Sequence, residues 1–110
     1  MLDVAKFVER MGGNEDVVRQ VMKMIKDQYT GKTDLLREPF SAGDHEALFQ
    51  TAHSVKGALA NVCAEDDAAF AAKIELAARE GKLPSVEELD EMKQRLESVL
   101  VQIDEYLSSV

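Results

Sequence analysis

His53 is the residue of this sequence whose type and neighbours most directly suggest chemistry. A neutral imidazole nitrogen is a nucleophile near physiological pH, so a histidine can accept a transferable group. Lys56 and Gly57 follow three and four residues later, and on a helix they would lie one turn further along the same strip. Lysine provides a compact, mobile positive charge that suits phosphate. This spacing suits a transient negative group on the ring nitrogen, and a phosphoryl group fits.

Gly57 is the member of this group that is hardest to explain by packing. A glycine in the middle of a helix costs about 0.5–1 kcal/mol relative to alanine, and it often marks a close approach by a backbone or a ligand. Here it would clear space beside the imidazole. The same strip also contains Glu46, Phe49, Gln50 and Ala60. Phe49 has two interpretations, either an apolar contact for a docking partner or packing against a neighbouring helix.

The phase of the surrounding helix decides on which side His53 lies. Apolar residues spaced 4, 3, 4 and 3 apart predict a helix over 45–62, capped at its start by Asp44. At about 100° per residue, His53 lies about 140° from the centre of this apolar seam, which argues against a buried, hydrogen-bonded core histidine. An idle surface histidine is the alternative. The seam consists of Leu48, Ala52, Val55, Leu59 and Val62.

The N-terminal part of the chain also has helical spacing. A short helix is predicted over 3–11, and a second begins with Asn14 as its N-cap. Pro39 predicts a break or kink near Glu38, which leaves open whether residues 14–42 form one bent helix or two pieces. The apolar face of the second helix is assigned to Val17, Val18, Val21, Met22, Met24, Ile25 and Tyr29.

Two further helices complete the pattern. One is predicted over 66–80 and stopped by Gly81, and the last opens with a capping box between Ser85 and Glu88. Short loops between long amphipathic helices favour antiparallel neighbours, so the residues predict an up-down helical bundle. The first of these two helices has its apolar face at Phe70, Ile74, Ala77 and Ala78, and the last at Leu89, Met92, Leu96, Val99, Ile103 and Tyr106.

Composition and charge narrow the possible classes of protein. The 110 residues fit one domain over 1–110, and 13 Lys and Arg against 21 Asp and Glu give a net charge of -8. That acidity argues against non-specific binding to nucleic acid or to an anionic membrane surface. A single cysteine, Cys63, cannot form an internal disulfide, and the sequence has neither a long apolar run nor a signal-peptide pattern. We therefore expect a cytoplasmic protein.

The residues around His53 also carry a family resemblance. The stretch AHSVKGALAN at 52–61 resembles the A-H-x-x-K-G-x-x-x-N core of histidine-containing phosphotransfer (HPt) domains. Phe7 with the turn at 12–15 is similar to the family's opening, and residues 74–79 are similar to its helix after the active one. The resemblance covers essentially the whole chain in length and in helix order.

The resemblance implies an all-α fold, an up-down antiparallel four-helix bundle with a short extra N-terminal helix. It implies that His53 is phosphorylated, that Lys56 stabilises the phosphoryl group electrostatically, and that Gly57 leaves room for a partner. HPt domains exchange phosphate with aspartates of response-regulator receiver domains or accept it from a sensor or hybrid histidine kinase, and these are the implied partners. We expect a monomer without a cofactor of its own, because Mg²⁺ belongs to the receiver domain.

The resemblance also assigns supporting residues. Glu75, 22 positions after His53, corresponds to a carboxylate or amide that orients the other ring nitrogen in relatives. Arg79 has two interpretations, since it either pairs with Glu75 or helps to hold the phosphate. On the outer strip, Gln50 is a further supporting residue, and Phe49 and Ala60 are docking residues.

One position departs from the family pattern. Many relatives have glycine ten residues after the phosphorylated histidine, where this chain has Cys63. Cysteine does not easily take a left-handed backbone conformation, so the shape of the following loop is in question. A redox role for Cys63 is the alternative to a small buried side chain, which we favour.

Other classes of function compete with phosphotransfer. A metal site at His45 and His53 fails because two helical turns separate them by about 12 Å, too far for one tetrahedral ion. A docking bundle without chemistry would be favoured by the loss of His53, Lys56 or Gly57, and all three are present. A kinase activity of its own would need a glycine-rich nucleotide loop, which the sequence lacks. The prediction is a phosphocarrier that uses phosphate supplied by others.

Overall fold

The structure, a computed structural model, describes residues 1–109, which form helices joined by short connections. The part described contains no strand, and none of its helices is long and apolar enough to cross a membrane. The last residue of the domain predicted over 1–110 lies outside the described residues. The helices are α1 (Val4–Arg10), α2 (Glu15–Tyr29), α3 (Arg37–Ser41), α4 (His45–Asn61), α5 (Glu65–Arg79) and α6 (Val86–Ser108).

Polar caps start three of the long helices where they are predicted. Asn14 and Asp44 each accept a hydrogen bond from the backbone N–H three residues later. Ser85 and Glu88 form the capping box, in which each side chain accepts a hydrogen bond from the other residue's backbone N–H. At Gly81 the chain leaves α5 with φ 76°, a conformation suited to glycine. These boundary predictions are confirmed.

The break after α2 falls earlier than the proline predicts. α2 ends at Tyr29, and Gly31 follows with φ 77°, a left-handed conformation that terminates the helix. Pro39 then lies in the first turn of α3, where a missing N–H removes no helical hydrogen bond. The prediction of a break near Glu38 is therefore wrong, and residues 14–42 contain two separate helices.

The long helices α2, α4, α5 and α6 form the predicted bundle around one apolar core, to which the short α1 and α3 are added. α5 packs against α4 and α6, and α2 packs against α6. The connection between α4 and α5 spans only residues 62–64, so these two helices are antiparallel neighbours. The predicted seam of α4 is buried at every position: Leu48, Ala52, Val55, Leu59 and Val62.

The buried face of α5 is rotated from the predicted one. Ala71, Ile74 and Ala78 are buried, whereas Phe70 and Ala77 are only half-buried. Small alanines allow the close approach of α4, and the larger ring of Phe70 lies outside this contact under the guanidinium of Arg95, 4.8 Å from its centroid. The rotation of α5 about its axis determines which of its side chains contact α4.

Cys63 takes a left-handed backbone conformation, which favours glycine. Its φ is 59°, and its side chain is buried. The following N–H of Ala64 donates to the carbonyl of Leu59 at 2.9 Å, which closes the helix end. The shape of this loop, which the sequence left in question, is therefore a helix end in the left-handed conformation, and burial of a small apolar side chain offsets its backbone cost. The favoured interpretation of Cys63 as a small buried residue is confirmed.

Candidate functional site

His53 lies in the middle of α4 with its ring in solvent. Its side chain is 61% exposed, whereas its neighbours Ala52 and Val55 are fully buried. The outward orientation predicted from the helical phase is confirmed. A histidine on this face contributes little to the core, so its imidazole is available to a partner.

Glu75 of α5 holds one edge of the imidazole. Its Oε2 lies 2.5 Å from Nδ1 of His53. An ionised carboxylate only accepts hydrogen bonds, so we assign the ring proton to Nδ1. The other ring nitrogen, Nε2, has no hydrogen-bond partner within residues 1–109 and keeps its lone pair. The structure thus brings together the two residues that the resemblance paired.

Lys56 binds the second oxygen of the same carboxylate. Its Nζ donates to Oε1 of Glu75 at 2.7 Å. The hydrogen bond from Lys56 is the main cause that holds the pKa of Glu75 below its ordinary value, and the hydrogen bond from His53 lowers it further. Desolvation acts in the opposite direction, because the side chain is only 14% exposed. Glu75 is therefore ionised at neutral pH. The carboxylate is shared between an ammonium and an imidazole N–H.

Phe49 lies one turn before His53 on α4, with its ring nearly parallel to the imidazole and offset from it. The centroids of the Phe49 and His53 rings are 6.1 Å apart, and their planes are inclined by 19°. Phe49 is half-buried against the apolar core and borders a pocket between α4 and α5. Direct contact with the site histidine is an arrangement that neither sequence interpretation of Phe49 included.

Gly57 lies one turn after His53 at an open position of α4. A Cβ atom placed there would meet no neighbouring heavy atom within 4 Å. Its φ is in the ordinary negative range, unlike that of the turn glycines. Neither backbone conformation nor packing within the described chain therefore requires glycine at this position.

A groove between α2 and α4 runs beside His53 and Gly57. Met24 contributes to it from α2 and is 68% exposed, so this member of the predicted apolar face lies outside the core. Met24 lies about 130° from the centre of the buried positions of α2, and this difference in phase is the signal that could have identified it. Those buried positions are Val18, Met22, Ile25 and Tyr29.

Arg79 does not join the cluster of His53, Lys56 and Glu75. No ion pair forms between Arg79 and Glu75, although they are one turn apart on α5. Both oxygens of Glu75 are already bound by partners from α4, so the first interpretation of Arg79, pairing with Glu75, does not hold. Its other interpretation, holding the phosphate, stays a prediction. Arg79 instead borders the pocket beside Phe49.

Gln50 and Ala60 are also outside this cluster. The side chain of Gln50 forms no hydrogen bond with His53 in the described structure, and its backbone carbonyl accepts one from Ser54 Oγ at 3.2 Å. Ala60 is exposed near the end of α4, and its carbonyl accepts a hydrogen bond from Arg10 at 3.3 Å. Their supporting and docking roles stay predictions.

The chemistry available here is nucleophilic. The site presents an exposed imidazole with its ring proton assigned to Nδ1, a free Nε2 and an ammonium held nearby. Such a group can accept a phosphoryl group from a partner. In the described part of the chain, no group of three or more His, Cys, Asp or Glu is placed to hold a metal ion.

Known proteins show the same arrangement of helices. One solved structure, histidine-containing phosphotransfer protein B (HptB) from Pseudomonas aeruginosa, is 24% identical with a TM-score of 0.85, over 99% of this chain and 96% of that one. Another, the HPT domain of the Hpt sensor hybrid histidine kinase from Shewanella, is 16% identical with a TM-score of 0.87, over 99% and 95%. At these identities the likeness shows the fold alone.

The family is shown by the sequence match. No curated protein matches the chain significantly. The family model of the Hpt domain, however, matches residues 15–105, a range that includes His53 and all the residues that hold it. With the bundle and the exposed histidine, this match places the chain in the Hpt domain family, the histidine phosphotransfer proteins of two-component phosphorelays.

Proposed function

We propose that phosphotransfer by this Hpt domain takes place at Nε2 of His53. The observation that carries the proposal is an exposed imidazole whose Nδ1 is bound by Glu75 and whose Nε2 is free. The Nδ1–H tautomer leaves the lone pair on Nε2, the nitrogen that is not occupied by the protein. Phosphate supplied by a histidine kinase or a receiver domain would therefore be carried on this atom.

Transfer from a receiver domain is an in-line displacement. The lone pair of Nε2 forms a bond to phosphorus, the bond from phosphorus to the aspartyl oxygen breaks, and its electron pair stays on the released carboxylate. Nδ1 keeps its proton, so the imidazole becomes positively charged and faces the Glu75 carboxylate at 2.5 Å. In the opposite direction the N–P bond breaks and its electron pair returns to Nε2.

Lys56 supplies positive charge beside the reacting nitrogen. Its ammonium is bound to Glu75 in the unphosphorylated protein, and its flexible stem lets it turn toward a phosphoryl oxygen one helical turn away. Because the transition state of phosphoryl transfer is loose, positioning and charge neutralisation provide most of the rate. Lys56 and Glu75 would contribute these on the Hpt side.

The receiver domain would dock over Gly57 and the groove between α2 and α4. Support comes from the exposed apolar side chain of Met24 and from the open space above Gly57. Ala60 lies further along the same helix, where we expect the edge of the contact. The chain would need no cofactor of its own, with Mg²⁺ in the receiver, and we expect it to act as a monomer in the cytoplasm.

The test follows radiolabelled phosphate from a phosphorylated receiver domain onto this protein. Wild type should be labelled, and the label should be lost in acid and retained in base, as for a phosphoramidate. His53→Gln should carry no label. His45→Gln is the matched control, because it removes the other histidine of the chain, and it should be labelled like wild type. Label that persists on His53→Gln would overturn the assignment.

A further inference from the structure

The ring of Phe49 lies almost parallel to the imidazole of His53. A centroid distance of 6.1 Å with an inclination of 19° is an offset stacked geometry, one of the favourable arrangements of aromatic rings. The two residues are four apart on α4, and helical side chains lean toward the N-terminus of their helix. His53 therefore leans back over Phe49.

The ring of Phe49 is held more tightly by its surroundings than the ring of His53. It packs against the apolar core and is half-buried, whereas most of the surface of His53 is exposed. An aromatic side chain has only two rotatable bonds, so packing of this kind leaves it few alternative positions. Phe49 thus offers the imidazole a fixed surface on one face.

The hydrogen bond to Glu75 by itself does not orient the imidazole fully. It restrains Nδ1 at one point of the ring and leaves the plane of the ring free to turn about that contact. The stacked face of Phe49 restrains the plane. Together the two contacts direct Nε2 outward, and in-line displacement is sensitive to the direction of the attacking lone pair.

We propose that Phe49 is a positioning residue for phosphotransfer that acts through His53 by holding the plane of its imidazole. The inference rests on the proposed role of His53. When Nε2 bonds to phosphorus, the imidazole gains positive charge at 6.1 Å from the centroid of the Phe49 ring, about the outer limit of cation–π attraction. The contact is therefore stronger in the transition state than in the resting protein, and its loss affects turnover more than docking.

The test compares three variants in transfer from a phosphorylated receiver domain. Phe49→Leu keeps apolar bulk but removes the flat ring, and its kcat should fall about 2- to 12-fold with an unchanged KM for the receiver. Phe49→Tyr restores the ring and should transfer within about twofold of wild type. Phe70→Leu is the matched control, because it makes the same change at a half-buried ring that lies under Arg95, and its transfer should equal that of wild type.

A spectroscopic readout separates positioning from general packing. The ¹⁵N resonances of the His53 ring should show a single Nδ1–H tautomer in wild type and in Phe70→Leu, and should broaden in Phe49→Leu. A raised KM with unchanged kcat in Phe49→Leu would overturn the proposal and assign Phe49 to docking. Kinetics and ring resonances equal to those of wild type would overturn it too. Failure of wild type to carry label on His53 would instead contradict the proposed function.

Discussion

At the scale of single residues, Glu75 organises the electrostatics of the site. One oxygen accepts a hydrogen bond from His53 and the other from Lys56. The carboxylate thus holds both α4 side chains, and its negative charge is offset by the ammonium of Lys56. Both hydrogen bonds involve an ionised acceptor and are stronger than those of a neutral amide would be.

The lowered pKa of Glu75 predicts a pH-dependent contribution to stability. Because the pKa in the folded protein lies below the ordinary value of 4.5, ionisation of Glu75 stabilises the fold above that pH. The contribution is lost as the pH falls through the lower folded pKa. Glu75→Gln should therefore unfold at lower urea concentration than wild type at neutral pH, and the difference should shrink in acid.

Glu105→Gln provides the matched control for this measurement. Glu105 is exposed on α6, and its replacement should not reproduce the loss of stability at neutral pH. A difference between wild type and Glu75→Gln that grows as the pH falls would contradict the stabilising role of the ionised carboxylate.

At the scale of elements, α4 separates stability and chemistry on opposite faces. Leu48, Val55 and Leu59 are buried in the bundle, whereas His53 and Gly57 face solvent. A 3.6-residue period makes this possible within one helix, since residues four apart stay on one strip. Substitutions on the outer strip can therefore change transfer while the fold is retained.

Gly57 gives a prediction at this scale. Gly57→Ala should raise the free energy of unfolding by about 0.5–1 kcal/mol, because alanine is the better helix former and its Cβ meets nothing within 4 Å. Gly57→Leu should also fold, yet transfer should slow by about 10- to 100-fold because the side chain occupies the path of the partner. Urea unfolding and transfer rates on the same preparations measure both effects.

The control for Gly57→Leu is the same side chain placed elsewhere on the surface. Ala69→Leu introduces it at an exposed position of α5 and should leave transfer unchanged. Equal transfer rates for Gly57→Leu and wild type would mean that the open space is not used by the partner.

At the scale of the whole molecule, acidic residues determine the net charge and also connect helices. The 21 Asp and Glu against 13 Lys and Arg give a net charge of -8. Asp67 is the buried charged residue in the described part of the chain. Its carboxylate accepts hydrogen bonds from Arg95 of α6, at 2.8 Å, and from the amino group of Met1. Asp67 thus ties α5 to α6, whereas Glu75 ties α5 to α4.

Asp67→Asn should destabilise the bundle without changing the chemistry. Loss of the charge-assisted hydrogen bond from Arg95 is expected to lower the free energy of unfolding by about 1–3 kcal/mol. Asp66→Asn, at the exposed neighbouring position, is the control and should leave stability nearly unchanged. Thermal unfolding measures the effect. Slower transfer by a folded Asp67→Asn protein would show that this pair also shapes the site.

Much of the fold can be predicted from the sequence because its signals are local. Helical periodicity and polar caps act within about one turn, so the buried seam of α4, the caps at Asn14 and Asp44, and the capping box at Ser85 are all predicted correctly. The position of the break before α3 is not, because Pro39 is tolerated in a first helical turn and Gly31 ends α2 instead.

The same division holds for the site. Spacing along α4 determines that His53, Lys56 and Gly57 share an outward strip, and the family pattern points to Glu75. Only the tertiary structure decides that Glu75 binds both α4 residues and leaves Arg79 unpaired with it, and that Phe49 stacks on His53. The rotation of α5 depends on how its alanines pack against α4, and packing between helices is not encoded in the period of either helix alone.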